Sequence, residues 1–287
     1  MSRTPKRLSD TQSPQTRTRG TRQYPRYALP WTTVARVFGS ALLARNAEPR
    51  RSFREDAQTC VTRLRPPLHV LERKRIPSEG PCLITVNHYA RPGFRAWWIA
   101  LAISAVIPVD VYWAMTGAWT YPDRFRTLTI TRMTRWLFRR LASLYGFTTM
   151  PPMPPDPRDT TARALAVRQV LAHAHSTPRP IIALSPEGSD APDGTLQMPP
   201  SGAGRFMLHL ARRGLALVPV GSFESGGAFC LRFGPPYQLV VPRTLSPEIR
   251  DRQASHIAMS HIARQLPAHL RGTFAQPETD LERGDDS

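Results

Sequence analysis

Two short apolar runs are notable for how they end. Residues 81–86 (P-C-L-I-T-V) lead directly into Asn87-His88, and residues 181–184 (I-I-A-L) lead into Ser185-Pro186-Glu187-Gly188. Apolar runs of four to eight residues bounded by Gly and Pro fit strands buried on both faces. Further strands are expected at 107–113, 144–149, 215–220, 228–233 and 237–241. Helical spacing predicts helices over roughly 94–105, 124–143, 158–175, 203–213 and 246–266. Gly214 is the stop signal of the fourth of these. The last carries Ser246 as N-cap, Pro247 at the first position and Glu248 in the first turn. Strands alternating with helices predict a single α/β domain with a mostly parallel central sheet flanked by helices. In such sheets ligands bind beyond the carboxyl ends of the strands. His88 and Glu187 both fall there and form a candidate acid/base pair.

The same patterning divides the chain. Residues 1–28 are rich in Ser, Thr, Arg and Pro and offer little apolar surface to offset ordering entropy, so a disordered basic tail is expected. In residues 29–60, Trp31, Val34, Ala35, Phe38, Ala41 and Leu42 recur at helical spacing. That segment is either an amphipathic helix at a lipid interface or a helix packed on its own domain. Residues 61–276 form the α/β domain, and 277–287 an acidic tail expected to be disordered. In the helix over 124–143, Arg132, Arg135, Arg139 and Arg140 lie among Met133, Trp136 and Leu137. This is a second basic amphipathic surface, facing either anionic lipid or solvent.

Charge sharpens the question of partners. The 287 residues carry a formal net charge of +18, and all but Lys6 and Lys74 of the 39 basic residues are arginine. Residues 1–75 hold 17 basic and 5 acidic residues. Such an excess calls for an anionic partner: a membrane, a phosphorylated substrate or nucleic acid. No helix-turn-helix, zinc finger or aromatic ribonucleoprotein motif is present, so a basic nucleic-acid-binding protein stands only as the weakest alternative, suggested by charge alone. The three cysteines lie far apart with no Cys-x-x-Cys, which fits a reducing compartment without a zinc site. His173 and His175 point about 200° apart on a helix, so no metal is expected. The longest apolar stretch, residues 96–109, contains a proline and falls short of the ~20 residues needed to span a bilayer.

Asn87-His88, then Ser185-Pro186-Glu187-Gly188 continuing to Asp193-Gly194, then Leu217-Val218-Pro219-Val220 resemble, in order and spacing, the three blocks of the glycerolipid acyltransferase family. The resemblance covers roughly residues 65–240. It implies a membrane-associated enzyme that moves a fatty acyl group from a coenzyme A or acyl-carrier-protein thioester to a lysophospholipid or related hydroxyl. It implies no cofactor beyond that acyl donor. His88 would be the general base, suited by an unperturbed pKa of ~6.5. Glu187, Gly188 and Ser189 would lie at the acceptor site, with Asn87 orienting the loop. Arg91, Arg158 and Arg205 are candidate ligands for the acceptor's phosphate. The implied location is cytoplasmic, peripheral on the inner face of the cell membrane.

Three positions depart from the family pattern. Gly93 stands where an aspartate normally orients the histidine; Glu187, Asp190 and Asp110 are the candidate substitutes. Pro152 stands where an arginine is usual, with Arg158 or Arg163 nearby. Pro200 and Ser201 replace a lysine, with Arg205 just beyond. These departures leave a second expectation open, a catalytically weak or silent protein of the same fold that binds lipid or phosphate.

Overall fold

The computed structural model describes residues 24–43, 51–119, 123–189, 191 and 193–275. In chain order the elements are α1 (Trp31–Leu43), α2 (Phe53–Val61), β1 (His69–Leu71), β2 (Cys82–Val86), α3 (Trp97–Val106), β3 (Tyr112–Thr116), α4 (Arg124–Arg126), α5 (Arg132–Tyr145), β4 (Thr148–Met150), α6 (Thr160–Ser176), β5 (Ile181–Leu184), α7 (Ala203–Ala211), β6 (Ala216–Ser225), β7 (Ala228–Phe233) and α8 (Pro247–Ala263). They build a seven-stranded sheet of order β1-β7-β6-β2-β5-β3-β4. β6, β2, β5, β3 and β4 run parallel; β7 pairs antiparallel with β6, and β1 follows the direction of β7. The fold is the expected mostly parallel α/β sheet.

The period-two alternation of strand side chains sorts the core into two layers. Cys82, Ile84 and Val86 of β2 face one layer with Trp98, Ile99 and Ala102 of α3. Leu83 of the same strand faces the other, with Val170 of α6, Met207 of α7 and Ala254 of α8. Helices therefore cover both faces, and β2, β5 and β6 lie side by side near the middle. Their carboxyl ends open onto one edge. β6 is the longest strand: its register matches Val86 to Val220, and residues Gly221–Ser225 continue past the tip of β2 along β7.

Several expected boundaries moved for identifiable reasons. The apolar run at 107–113 is not one strand: the Ile107 N–H bonds back to Ile103 as the end of α3, and β3 starts only at Tyr112. The strand expected at 144–149 is Thr148–Met150, because α5 runs on to Tyr145 and is capped by Gly146 at φ 72°. Residues 237–241 are not a strand. Leu239 and Val241 are buried around an exposed Val240, which imitates strand alternation, but only Tyr237 bridges to the sheet, at Leu217. The segment 29–60 holds two helices, α1 and α2, with α2 capped by the Ser52 hydroxyl accepting the Glu55 N–H. Of the tail expected over 1–28, the part from Tyr24 is described, and it is packed: the Tyr27 ring lies against Phe94, Trp98 and Phe229. The remainder, and the acidic tail 277–287, lie outside the described residues.

Candidate active site

Parallel pairing of β2 with β5 sets Thr85 beside Leu184, so their next residues emerge together. His88 leaves β2, Glu187 leaves β5, and the His88 backbone N–H donates to Glu187 Oε2 at 2.6 Å. The other carboxylate oxygen, Oε1, accepts the Gln197 N–H at 2.8 Å. Glu187 is 4% exposed. It fastens the loop after β5 to the loop after β2, through two charge-assisted bonds to backbone. His88 itself stays partly exposed, with Nδ1 turned inward and buried.

The loop between Glu187 and α7 is shaped to lie on the His88 loop. Gly194 has φ 72°, and a Cβ there would come within 2.5 Å of the Ala90 carbonyl oxygen. Only glycine satisfies both conditions. The preceding Asp193 turns the chain by accepting from the Thr195 N–H and hydroxyl, at 3.0 and 2.9 Å. Gly188, at φ 71°, is exposed beside Ser189, and its missing Cβ would press on Met153 of the proline-rich loop.

Asn87 is committed elsewhere. Its side chain donates to the Ser222 carbonyl at 2.9 Å and accepts the Ser222 N–H at 2.7 Å, joining the tip of β2 to the overhang of β6. Arg91 is likewise engaged. Its Nε and Nη2 make a bidentate pair with the two oxygens of Glu224, the Nη2 bond being 2.7 Å, and its Nη1 donates to the Pro92 carbonyl at 2.7 Å. Tyr27 donates to Glu224 Oε1 at 2.5 Å and Tyr89 to Oε2 at 3.2 Å, while the Tyr24 ring lies 4.0 Å from the Arg91 guanidinium. Burial, then the hydrogen bond to Glu224, push the Tyr27 hydroxyl far above its usual pKa; burial and the Glu224 charge do the same to Tyr89. Four donors on one buried carboxylate hold the His88 loop to the end of β6.

The remaining candidates spread out. Arg158 sits exposed in the short 3-10 turn Pro157–Asp159, and Arg163 donates to the Pro152 carbonyl. Arg205 lies on α7, whose first amides are occupied: Asp251 of α8 accepts the Gly202 and Arg205 N–H groups, both at 2.7 Å. Asp110 is on the wrong edge of the sheet. Tyr112 and Leu83 both pair with Ile182, so Asp110 lies two residues before that level and His88 five beyond it. At ~3.3 Å per residue this separates them by roughly 20 Å. Asp110 instead accepts from Ser52 near the start of α2. Asp190 lies outside the described residues. Gly93 has φ 82°, with the Arg91 guanidinium 3.5 Å from where a Cβ would stand.

The arrangement defines an α/β protein of mostly parallel sheet with its polar cluster at the carboxyl edge, spread over three adjacent strands. Compared with solved structures, the chain is similar to the 1-acyl-sn-glycerophosphate (LPA) acyltransferase PlsC from Thermotoga maritima. The two share 14% identity over 79% of this chain and 85% of that one, with a TM-score of 0.45. No family model matches the sequence, and no curated protein matches it. Among the described residues no helix is long and apolar enough to cross a membrane.

Proposed function

We propose that the chain is an acyltransferase working at a lipid surface, with His88 as general base. One observation carries this proposal: the three sequence blocks, far apart along the chain, meet on the adjacent strands β5, β2 and β6, with His88 and Glu187 in direct contact. In the reaction, the His88 imidazole takes the proton of the acceptor hydroxyl as that oxygen attacks the thioester carbonyl. The tetrahedral centre then collapses with loss of the C–S bond. The imidazolium returns its proton to the departing thiolate, giving an ester and a free thiol. Glu187 serves by holding the His88 backbone rather than by moving a proton.

The surroundings support a lipid substrate. Trp97 at the start of α3 stacks on Trp119, centroids 5.8 Å apart, and both rings are partly exposed. α1 packs on α5, and the two helices expose Trp31 (84%), Phe38, Leu42, Met133 and Trp136 together with Arg36, Arg132, Arg135 and Arg139. Exposed apolar rings among arginines suit an anionic membrane surface. On this proposal the donor is an acyl thioester of coenzyme A or acyl carrier protein, the acceptor is a phosphorylated lipid, and the protein works on the inner face of the cell membrane.

The test is acyl transfer from an acyl-coenzyme A to lysophosphatidic acid on anionic vesicles. His88→Ala should lower turnover by at least ~10²-fold, the contribution of a positioned general base. Full activity in that variant overturns the assignment. Gly93 at the usual aspartate position favours a second reading, a lipid-binding protein with little turnover. Vesicle binding by the wild type without measurable transfer would support that reading instead.

A further inference from the structure

Where α7 meets the start of α8 lies a small recess of about 90 Å³ that is open to solvent. Arg205, His209 and Arg212 line it from α7, and Pro247, Arg250 and Asp251 from α8. None of these residues belongs to the strand tips that hold His88 and Glu187. Three guanidinium groups face one carboxylate there, and that carboxylate is turned away from them: Asp251 accepts the Gly202 and Arg205 N–H groups that open α7. Glu248, two residues before Arg250 on α8, projects about 200° around the helix from it. Among the described residues no acidic side chain pairs with Arg205, Arg212 or Arg250. The Arg250 Nε is buried and meets no hydrogen-bond acceptor. A buried guanidinium N–H without an acceptor is uncommon, and an oxyanion entering the recess would supply one after a small turn of the Arg250 side chain.

We propose that this recess is a binding site for the phosphate of a soluble small molecule, a phosphate monoester or diphosphate, separate from the cleft at His88. The planar fork of arginine matches the oxygen pairs of phosphate. Arg250, at the start of α8, supplies an unpartnered donor, and Arg205 and Arg212 supply charge from the facing helix. The recess has room for one anionic group. It also gives Arg205 a role that does not depend on acyl transfer.

The test titrates inorganic pyrophosphate into the full chain by calorimetry, with sodium chloride matched for ionic strength as control. Saturable binding at about 1 mM or tighter is expected. Arg250→Gln and Arg212→Gln should each weaken it at least about tenfold with the circular dichroism spectrum unchanged, while Arg213→Gln, on an exposed arginine outside the recess, and His88→Ala should leave it intact. Arg212→Gln decides the matter should Arg250→Gln not fold. Absence of binding, or equal loss in the Arg213 variant, overturns the site. Binding only to vesicles containing phosphatidic acid, lost in Arg250→Gln, would overturn the soluble ligand in favour of a lipid headgroup.

Discussion

Replacing Glu224 by glutamine removes one charge and keeps the side-chain volume. The Glu224 side chain is 5% exposed and that of Arg91 is 15% exposed, so the pair is largely desolvated. The carboxylate accepts from Arg91 Nε and Nη2 and from the hydroxyls of Tyr27 and Tyr89. Glutamine offers one carbonyl oxygen to these four donors and turns an NH2 group towards the rest. Breaking a buried pair from one side costs about 3–5 kcal/mol, because the other charge is left desolvated. The residual exposure of Arg91 places the expected loss near the lower end, about 3 kcal/mol. The assay is urea unfolding of wild type, Glu224→Gln, Arg91→Gln and the double variant. The double variant should be less damaged than the sum of the singles, with a coupling of about 1 kcal/mol or more. Because the network spans Tyr27, the His88 loop and β6, amide exchange at residues 88–94 should speed up more in Glu224→Gln than exchange in β5. A loss under about 1 kcal/mol, or strictly additive singles, would refute the idea that this carboxylate anchors the loop.

Two further outcomes follow from groups whose titration is shifted. Burial first, and carboxylate neighbours second, hold the hydroxyls of Tyr27, Tyr89 and Tyr145 well above their usual pKa; burial alone does so for Tyr237. A folded pKa raised above the unfolded value of ~10 means full stability below pH 10 and loss as pH rises past it. Urea midpoints should therefore stay level to about pH 9.5 and fall beyond, with tyrosinate absorbance lagging until unfolding; native ionisation of all seven tyrosines near pH 10 would contradict this. Burial also raises the thiols of Cys60 to about 11 and Cys82 to about 12, and lifts Cys230. A disulfide reagent at pH 8 should find no thiol in the native protein and three after denaturation; rapid native labelling would show that these sites open.

What could be read from the chain depended on punctuation. β5 is Ile181–Leu184 as expected, because Pro180 and Ser185-Pro186 bracket it, and β7 matches at Ala228–Phe233. The start of α8 matches because Ser246 does cap Ile249 ahead of Pro247. The meeting of His88 and Glu187 followed from two buried strands with polar ends. Glu224 lies beyond the strand expected at 215–220, because β6 runs on to Ser225. A local signal was present: Gly226-Gly227 join β6 to β7 as a two-residue hairpin with φ 57° and 76°, pairing Ser225 with Ala228. A Gly-Gly hairpin requires the first strand to reach Ser225, which puts Ser222 and Glu224 on the overhang. Tyr27 had no such signal. Its segment shows no strand or helix period, and it is ordered by tertiary contacts: the ring against Phe94, Trp98 and Phe229, the hydroxyl on Glu224, and the Arg26 bridge to Arg65. The short strand β1 was hidden for a similar reason, since three residues carry no period.

The glycine at position 93 changes how the histidine loop must be held. The backbone there is left-handed, and an aspartate placed at 93 would set its Cβ 3.5 Å from the Arg91 guanidinium. The nearest opposite charge to that carboxylate would be Arg91, already claimed by Glu224. In this chain the loop N-H-Y-A-R-P-G is instead tied down at three points by groups from outside it. Glu187 takes the His88 N–H, Ser222 takes the Asn87 amide, and Glu224 takes Arg91. Two of these ties come from the overhang of β6 and one from the loop after β5. On the proposed mechanism the His88 loop is held by Glu187 beyond β5 and Glu224 on β6 rather than by a side chain five residues along the loop itself. On that proposal, removing the charge of Glu187 or Glu224 should loosen the His88 loop, whereas position 93 takes no part in holding it.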